Sequence, residues 1–271
     1  MKAYISVDIE GIWGNGAPKY TSRGTAEYDQ YRKNMLDETN LCINELIENG
    51  YEDIVVNDSH GGMDNLISYE LDPRVSFIVA NGGYKARGMM EGFDESFDTV
   101  IFVGYHCPSN TINGNIAHTI WGGMIRSIHV NGKEASEAYL NALLAWYYHT
   151  PIGLAAGDHL LKEVLEKEIG TEHTFVETKK SINNQTVLCC SKNELVKRYK
   201  EAVKNIHSNY IPQFDHYAID IDFHFEKNAS FVSRIPTVQR LSATTIRIEG
   251  TQYDELYELM RFIIKVCNAF A

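Results

Sequence analysis

Three short runs of β-branched and aromatic residues, at 4–7 (YISV), 53–57 (DIVVN) and 99–103 (TVIFV), constrain this chain more than any other feature. Each is nearly continuous in apolar character, too short for a helix, and stops abruptly at polar residues, as a strand buried on both faces of a parallel sheet does. Between the first two, residues 28–48 place Met35, Leu36, Leu41, Ile43, Leu46 and Ile47 near helical spacing and end at Asn49-Gly50, a C-cap pair. That is a β-α-β unit. After the third run, residues 134–148 read as a helix, 152–156 as a strand and 160–168 as a helix. The alternation predicts a three-layer α/β/α fold with a mostly parallel sheet.

From residue 174 the pattern changes to a smaller α+β portion: strand-like 174–182, a helix over 192–205, strands at 218–225, 231–233 and 244–249, and a closing helix over 253–270. A soft boundary within 157–175 divides the chain into a 1–160 catalytic portion and a 161–271 portion, or leaves one intimate unit. At 271 residues and 44% apolar content the chain can bury a core without staples. Cys42, Cys107, Cys189, Cys190 and Cys267 are odd in number and lack CxxC spacing, so reduced thiols and a cytoplasmic location are expected. The start, MKAYISVDIEG, is interrupted by Asp8 and Glu10 too early for a secretory segment, and no stretch approaches a membrane span. A net charge of −11 argues against nucleic acid as a partner, and the pairs Lys179-Lys180 and Lys197-Arg198 read as solvated faces. A small substrate is the default.

Ligand sites of parallel α/β sheets lie beyond the carboxyl ends of the strands. There the chain carries Asp8-Ile9-Glu10-Gly11, then Asn57-Asp58-Ser59-His60, then Gly104-Tyr105-His106. Asp8 and Glu10, one residue apart, point the same way on extended backbone and repel each other without a cation. Taken singly, Asp8 reads as a helix cap, His60 as a turn residue and His106 as a core imidazole. Together, two carboxylates and two imidazoles match the oxygen and nitrogen ligands of zinc, and a paired site needs a bridging carboxylate. A fifth ligand could be Glu134 or Glu137, which share a helix face; periodicity leaves that choice open, and either is equally at home as a charge at a helix N-terminus. The long loop 107–121 carries His118, a candidate general acid/base or nucleophile, or else a plain loop histidine.

The segments YISVDIEG at 4–11, VNDSH at 56–60 and VGYH at 103–106 together resemble the D-aminopeptidases of peptidase family M55. The likeness continues through Ala117-His118-Thr119, residues 131–137 (NGKEASE), Leu140-Asn141-Ala142 and Ala155-Ala156-Gly157-Asp158, strong over 1–160 and in layout beyond. It implies a zinc-dependent aminopeptidase acting on short peptides with an N-terminal D-residue, with two zinc ions per subunit. Asp8 is then the bridging ligand, with Glu10, His60, His106 and Glu137 completing the sites and His118 catalytic. It further implies a ring-like homo-oligomer, with a decamer as one candidate size. Departures from the pattern are a loop one residue longer before His118, Ala135-Ser136 before Glu137, and Asp158-His159 in place of a more acidic pair. Asp58 and Asp158 are candidates for holding a substrate ammonium. The rival readings are a non-catalytic peptide- or solute-binding protein linked to transport, and a binuclear metal amidase or phosphatase. A cysteine hydrolase at Cys107 is disfavoured because adjacent residues on extended chain point to opposite faces.

Overall fold

Residues 3–7 are all fully buried, which only a central strand covered on both sides allows. In the computed structural model, which describes all residues except 208–210, 213, 270 and 271, this segment is β1 (Lys2–Val7). It is followed by α1 (Pro18–Thr21), α2 (Tyr28–Glu48), β2 (Asp53–Asp58), β3 (Ser76–Ile78), β4 (Thr99–Tyr105), β5 (Ile125–Val130), β6 (Lys133–Glu134), α3 (Glu137–Tyr147), β7 (Ile152–Asp158) and α4 (His159–Glu168). Then come β8 (Thr174–Asn183), β9 (Thr186–Cys189), α5 (Lys192–Lys204), β10 (Tyr217–Phe223), α6 (Glu226–Val232), β11 (Gln239–Arg240), β12 (Thr245–Gly250) and α7 (Tyr253–Ala269).

The main sheet runs β3-β2-β1-β4-β7-β8-β9, parallel throughout except for the β8–β9 hairpin. Alternation along β1 sends Ala3, Ile5 and Val7 to one face, where they pack with α2 and α5, and Tyr4 to the other, with α3 and α7. This is the expected α/β fold. A second, antiparallel sheet, β11-β12-β10-β5-β6, adds its apolar face to the α3–α7 side of the core. Both sheets draw strands from either side of residue 160: β8 pairs with β7, and β10 with β5. Among the described residues, no helix is long and apolar enough to cross a membrane.

Two sequence expectations need correction. Residues 231–233, read as a strand, end α6 and follow it; a short apolar run does not by itself distinguish the two states. The helix expected from residue 134 begins at Glu137, because Ser136 caps it by accepting the Tyr139 N–H and Lys133–Glu134 pairs back onto β5. Asn131 and Gly132, at φ +50 and +80, form the tight turn between β5 and β6. The closing helix runs as expected through Ala269; its expected last residue, Phe270, lies outside the described residues.

Between α2 and α5, Glu38 is buried and accepts hydrogen bonds from the Trp13 N–H and the Tyr199 hydroxyl, each at 2.7 Å. Burial pushes its pKa up to about 7. The folded pKa lies above the unfolded one, so this group's contribution is full below about pH 4.5 and is lost as pH rises through 7, by at most ~3 kcal/mol. Relative to wild type, Glu38→Gln is therefore expected to gain urea stability between pH 5 and 8. A difference that stays constant across that range would contradict this account.

Candidate metal centre and catalytic cavity

Strand order reverses direction at β1, with β2 on one side and β4 on the other, and the crevice at such a switch point is where α/β sheets bind ligands. Here the two strand ends nearly touch: the Asp8 N–H donates to Val103 O and the Gly11 N–H to Gly104 O, at 2.8 and 2.7 Å. A Cβ on Gly11 would stand 1.9 Å from the Tyr105 carbonyl oxygen, and one on Gly104, at φ +73, 2.2 Å from Asp8 O. Both glycines are thus required by backbone approach. β1 ends at Val7, so Asp8 and Glu10 converge through a turn and not through strand alternation.

Five residues singled out in the sequence meet in this crevice. Asp8 Oδ1 is 3.2 Å from His60 Nδ1, and Asp8 Oδ2 is 3.4 Å from His106 Nε2. Glu10 Oε2 lies 3.0 Å from His60 Nδ1, off-axis for a hydrogen bond, and Glu137 Oε1 lies 3.4 Å from His106 Nε2. The opposite ring nitrogens are committed: His60 Nε2 to Thr21 O at 2.8 Å, and His106 Nδ1 to Cys107 O at 3.0 Å. With those N–H groups donating to carbonyls, His60 Nδ1 and His106 Nε2 are the ring nitrogens turned toward the carboxylates, and they are free to serve as metal ligands once deprotonated. Glu137, at the first position of α3, also accepts the Ile120 N–H. Glu134 is half-exposed on β6, bonded to Asn110.

Burial opposes charge on every group in the cluster. At Asp8 it wins, aided by Glu10, and the carboxyl is pushed up to about 7. At Glu137 the charge of His106 prevails and holds the group at about 2, and His60 likewise holds Glu10 well below the usual carboxylate range. In return Glu137 and Asp8 push His106 up to about 10, and Glu10 and Asp8 push His60 well up. Three carboxylates in one buried space thus demand compensating positive charge. His106 Nε2 and Glu10 Oε2 are buried without a hydrogen-bond partner. Potential ligand atoms of Asp8, Glu10 and His106, and separately of His106, His118 and Glu137, lie within 4.8 Å of one another. Orphaned donors and acceptors of this kind, all oxygen or imidazole nitrogen, fit divalent zinc.

His118 stacks on His106, with ring centroids 4.2 Å apart and planes 9° from parallel, and its Nδ1 bonds Ile116 O at 2.8 Å. Burial and the neighbouring His106 lower its pKa. Ile116 and Ile120 flank it at φ +49 and +60, a region that disfavours β-branched residues and marks a strained, over-determined loop. His118 opens onto a cavity of about 590 Å³ that Asp8, Glu10, His60 and Glu137 also line.

The profile of peptidase family M55, described as D-aminopeptidase, matches residues 1–262. The chain belongs to this family. A D-aminopeptidase of Bacillus subtilis (strain 168) is 30% identical over 271 residues, covering 96% of this chain and 95% of that protein. A solved structure, the zinc-dependent D-aminopeptidase DppA of Bacillus subtilis, a self-compartmentalizing protease, superposes with a TM-score of 0.90 at 28% identity, covering 98% of each chain. These relatives favour neither a non-catalytic binding protein nor a hydrolase of another class.

Within this M55 chain, several sequence readings change. Asp58 and Asp158, candidates for a substrate ammonium, are spent as caps: Asp58 accepts the N–H groups of Asn65 and Leu66, and Asp158 those of Leu160 and Leu161. Cys107 is fully buried and its thiol is pushed far up by burial, which removes it as a nucleophile. Lys179, read as a solvated charge, is 1% exposed and donates to the carbonyls of Glu10 and Asn15, fixing the turn that carries both carboxylates. A buried lysine looks like any other in a sequence; its only signal was its position inside a strand pattern. Lys179→Met should leave both carbonyls unsatisfied and cost about 2–4 kcal/mol in urea unfolding. A loss below about 1 kcal/mol would show that the turn holds itself.

Proposed function

We propose that this chain is a zinc-dependent aminopeptidase that removes the N-terminal residue, by preference a D-amino acid, from short peptides. Asp8, Glu10, His60, His106 and Glu137 would hold two zinc ions, with Asp8 placed to be shared between them. The observation that carries this reading is the division of Asp8, whose two oxygens face two different histidines, each with the ring nitrogen not committed to a carbonyl turned inward. What bound zinc supplies is Lewis acidity toward water and a carbonyl oxygen.

The chain's own residues do the rest. The Thr21 and Cys107 carbonyls keep the two imidazoles in ligand orientation. His118 donates from Nδ1 to Ile116 O, so its Nε2 takes a proton from the attacking water and returns it to the leaving amine. The stacking of His118 on His106 keeps that nitrogen beside the reacting atoms, and its nearness to His106 and Glu137 makes ligation the competing role. The cavity has room for a short peptide. A homo-oligomer that encloses these cavities, a decamer in its finer form, follows the self-compartmentalizing relative. A cytoplasmic location fits the free cysteines.

The test pairs zinc content with turnover of D-Ala and L-Ala dipeptides before and after chelation. Wild type should cleave the D-dipeptide in a chelator-sensitive way; a preference for the L-dipeptide would keep the mechanism and change the substrate. His118→Ala should retain its metal while kcat falls at least about 100-fold, and loss of metal with activity would make His118 a ligand. Asp8→Ala should deplete both ions. Retention of two would remove the bridge.

A further inference from the structure

On the wall of the cavity formed by α7 stands a cation with nothing to do. Arg261 is 7% exposed, its Nε has no hydrogen-bond partner, and among the described residues no carboxylate lies within 4.0 Å of its guanidinium. Burying such a group unpaired is expensive, so a buried guanidinium ordinarily has a carboxylate or phosphate to grip. The packing around it is specific. A Cβ on Gly88 would lie 2.5–2.7 Å from the guanidinium atoms, so only glycine lets the group lie against the backbone there. One turn further along α7, Lys265 lines the same cavity and is anchored by donating to the carbonyls of Gly82 and Lys85. The cavity is therefore bipolar, with Asp8, Glu10 and Glu137 on one wall and two cations of α7 on another.

We infer that Arg261, reinforced by Lys265, forms an anion subsite that takes the free C-terminal carboxylate of a short peptide substrate. The inference rests on the peptidase reading and adds to it a reason for short substrates: one cavity reads both ends of the peptide. The planar guanidinium offers a carboxylate two parallel hydrogen bonds, and Lys265 adds attraction without a second fork. Because the carboxylate is remote from the scissile bond, its loss is felt mainly in KM.

The test compares D-alanyl-glycine, D-alanyl-glycinamide and D-alanyl-aspartic acid α-amide, which carries a carboxylate only on its side chain, on the zinc-loaded enzyme. Wild type should favour D-alanyl-glycine over both amides by about tenfold or more in kcat/KM. Arg261→Met should abolish that preference by raising KM for the free dipeptide, with kcat within about threefold and the amides turned over as before, which also shows that the variant is folded. Arg261→Lys, keeping charge without the fork, should show an intermediate preference. Equal use of the dipeptide and its amide by wild type, or a preference that survives in Arg261→Met, would overturn the subsite. If the aspartyl amide matches the free dipeptide, the C-terminal assignment is wrong. If wild type cleaves none of the three, the peptidase reading itself fails, and the subsite with it.

Discussion

Asp8, Glu10 and Glu137 are each no more than 5% exposed and crowd the same two imidazoles, and the electrostatic strain of holding them together governs the rest of the structure. Water cannot screen such a cluster, so positive charge must come from within. In the bare protein His60 and His106 provide it by holding protons; in the working enzyme we assign that task to metal. The fold brings the cluster together by a close backbone approach of the β1 and β4 strand ends, where Gly11 and Gly104 leave no room for a side chain.

A second set of groups keeps the cluster from relaxing. Ser6 Oγ lies 2.8 Å from Ser59 Oγ and 2.6 Å from the Tyr105 hydroxyl; that hydroxyl accepts from Asn141 Nδ2 at 2.8 Å, and Asn141 Oδ1 accepts from the Tyr257 hydroxyl at 2.5 Å. Four of the five members neighbour a residue of the centre: Ser6 is two before Asp8, Ser59 precedes His60, Tyr105 precedes His106, and Asn141 is one helical turn beyond Glu137. Buried and fully satisfied, the chain of polar groups fixes the three strand ends and α3 as one unit and ties them to α7. The run Asn57-Asp58-Ser59-His60 divides its labour accordingly. Asn57 accepts from the Lys85 ammonium, Asp58 caps the following loop, Ser59 joins the network and His60 faces the cluster.

How much of this was legible follows from what burial does to sequence. β1, β2 and β4 are covered on both faces, so they read as unbroken apolar runs, and α2 announces its end at Asn49-Gly50. Asp8, Glu10, His60 and His106 stood out because polar ligand types directly follow such runs. β5 (IRSIHV) was missed although Asn131-Gly132 marks its turn, because its main partner, β10, lies about ninety residues away and the helical pattern from residue 134 masked the hairpin. The choice between Glu134 and Glu137 was open to periodicity; the Ser136 cap settles which of them starts the helix. Lys179 and Arg261 were not legible as buried cations: the one hint for Lys179 was its place inside a strand pattern, and nothing in composition or spacing distinguishes Arg261 from a solvated cation. Their roles come only from the carbonyls and the cavity that the fold sets around them.

The central claim is that Asp8 bridges two zinc ions within this cluster. Anomalous diffraction at the zinc edge, on crystals of the zinc-loaded protein, measures it directly. The account predicts two peaks per chain, both in bonding contact with Asp8, one beside His60 and Glu10 and the other beside His106 and Glu137. A single peak, a pair that Asp8 does not join, or zinc elsewhere with this cluster empty would contradict it.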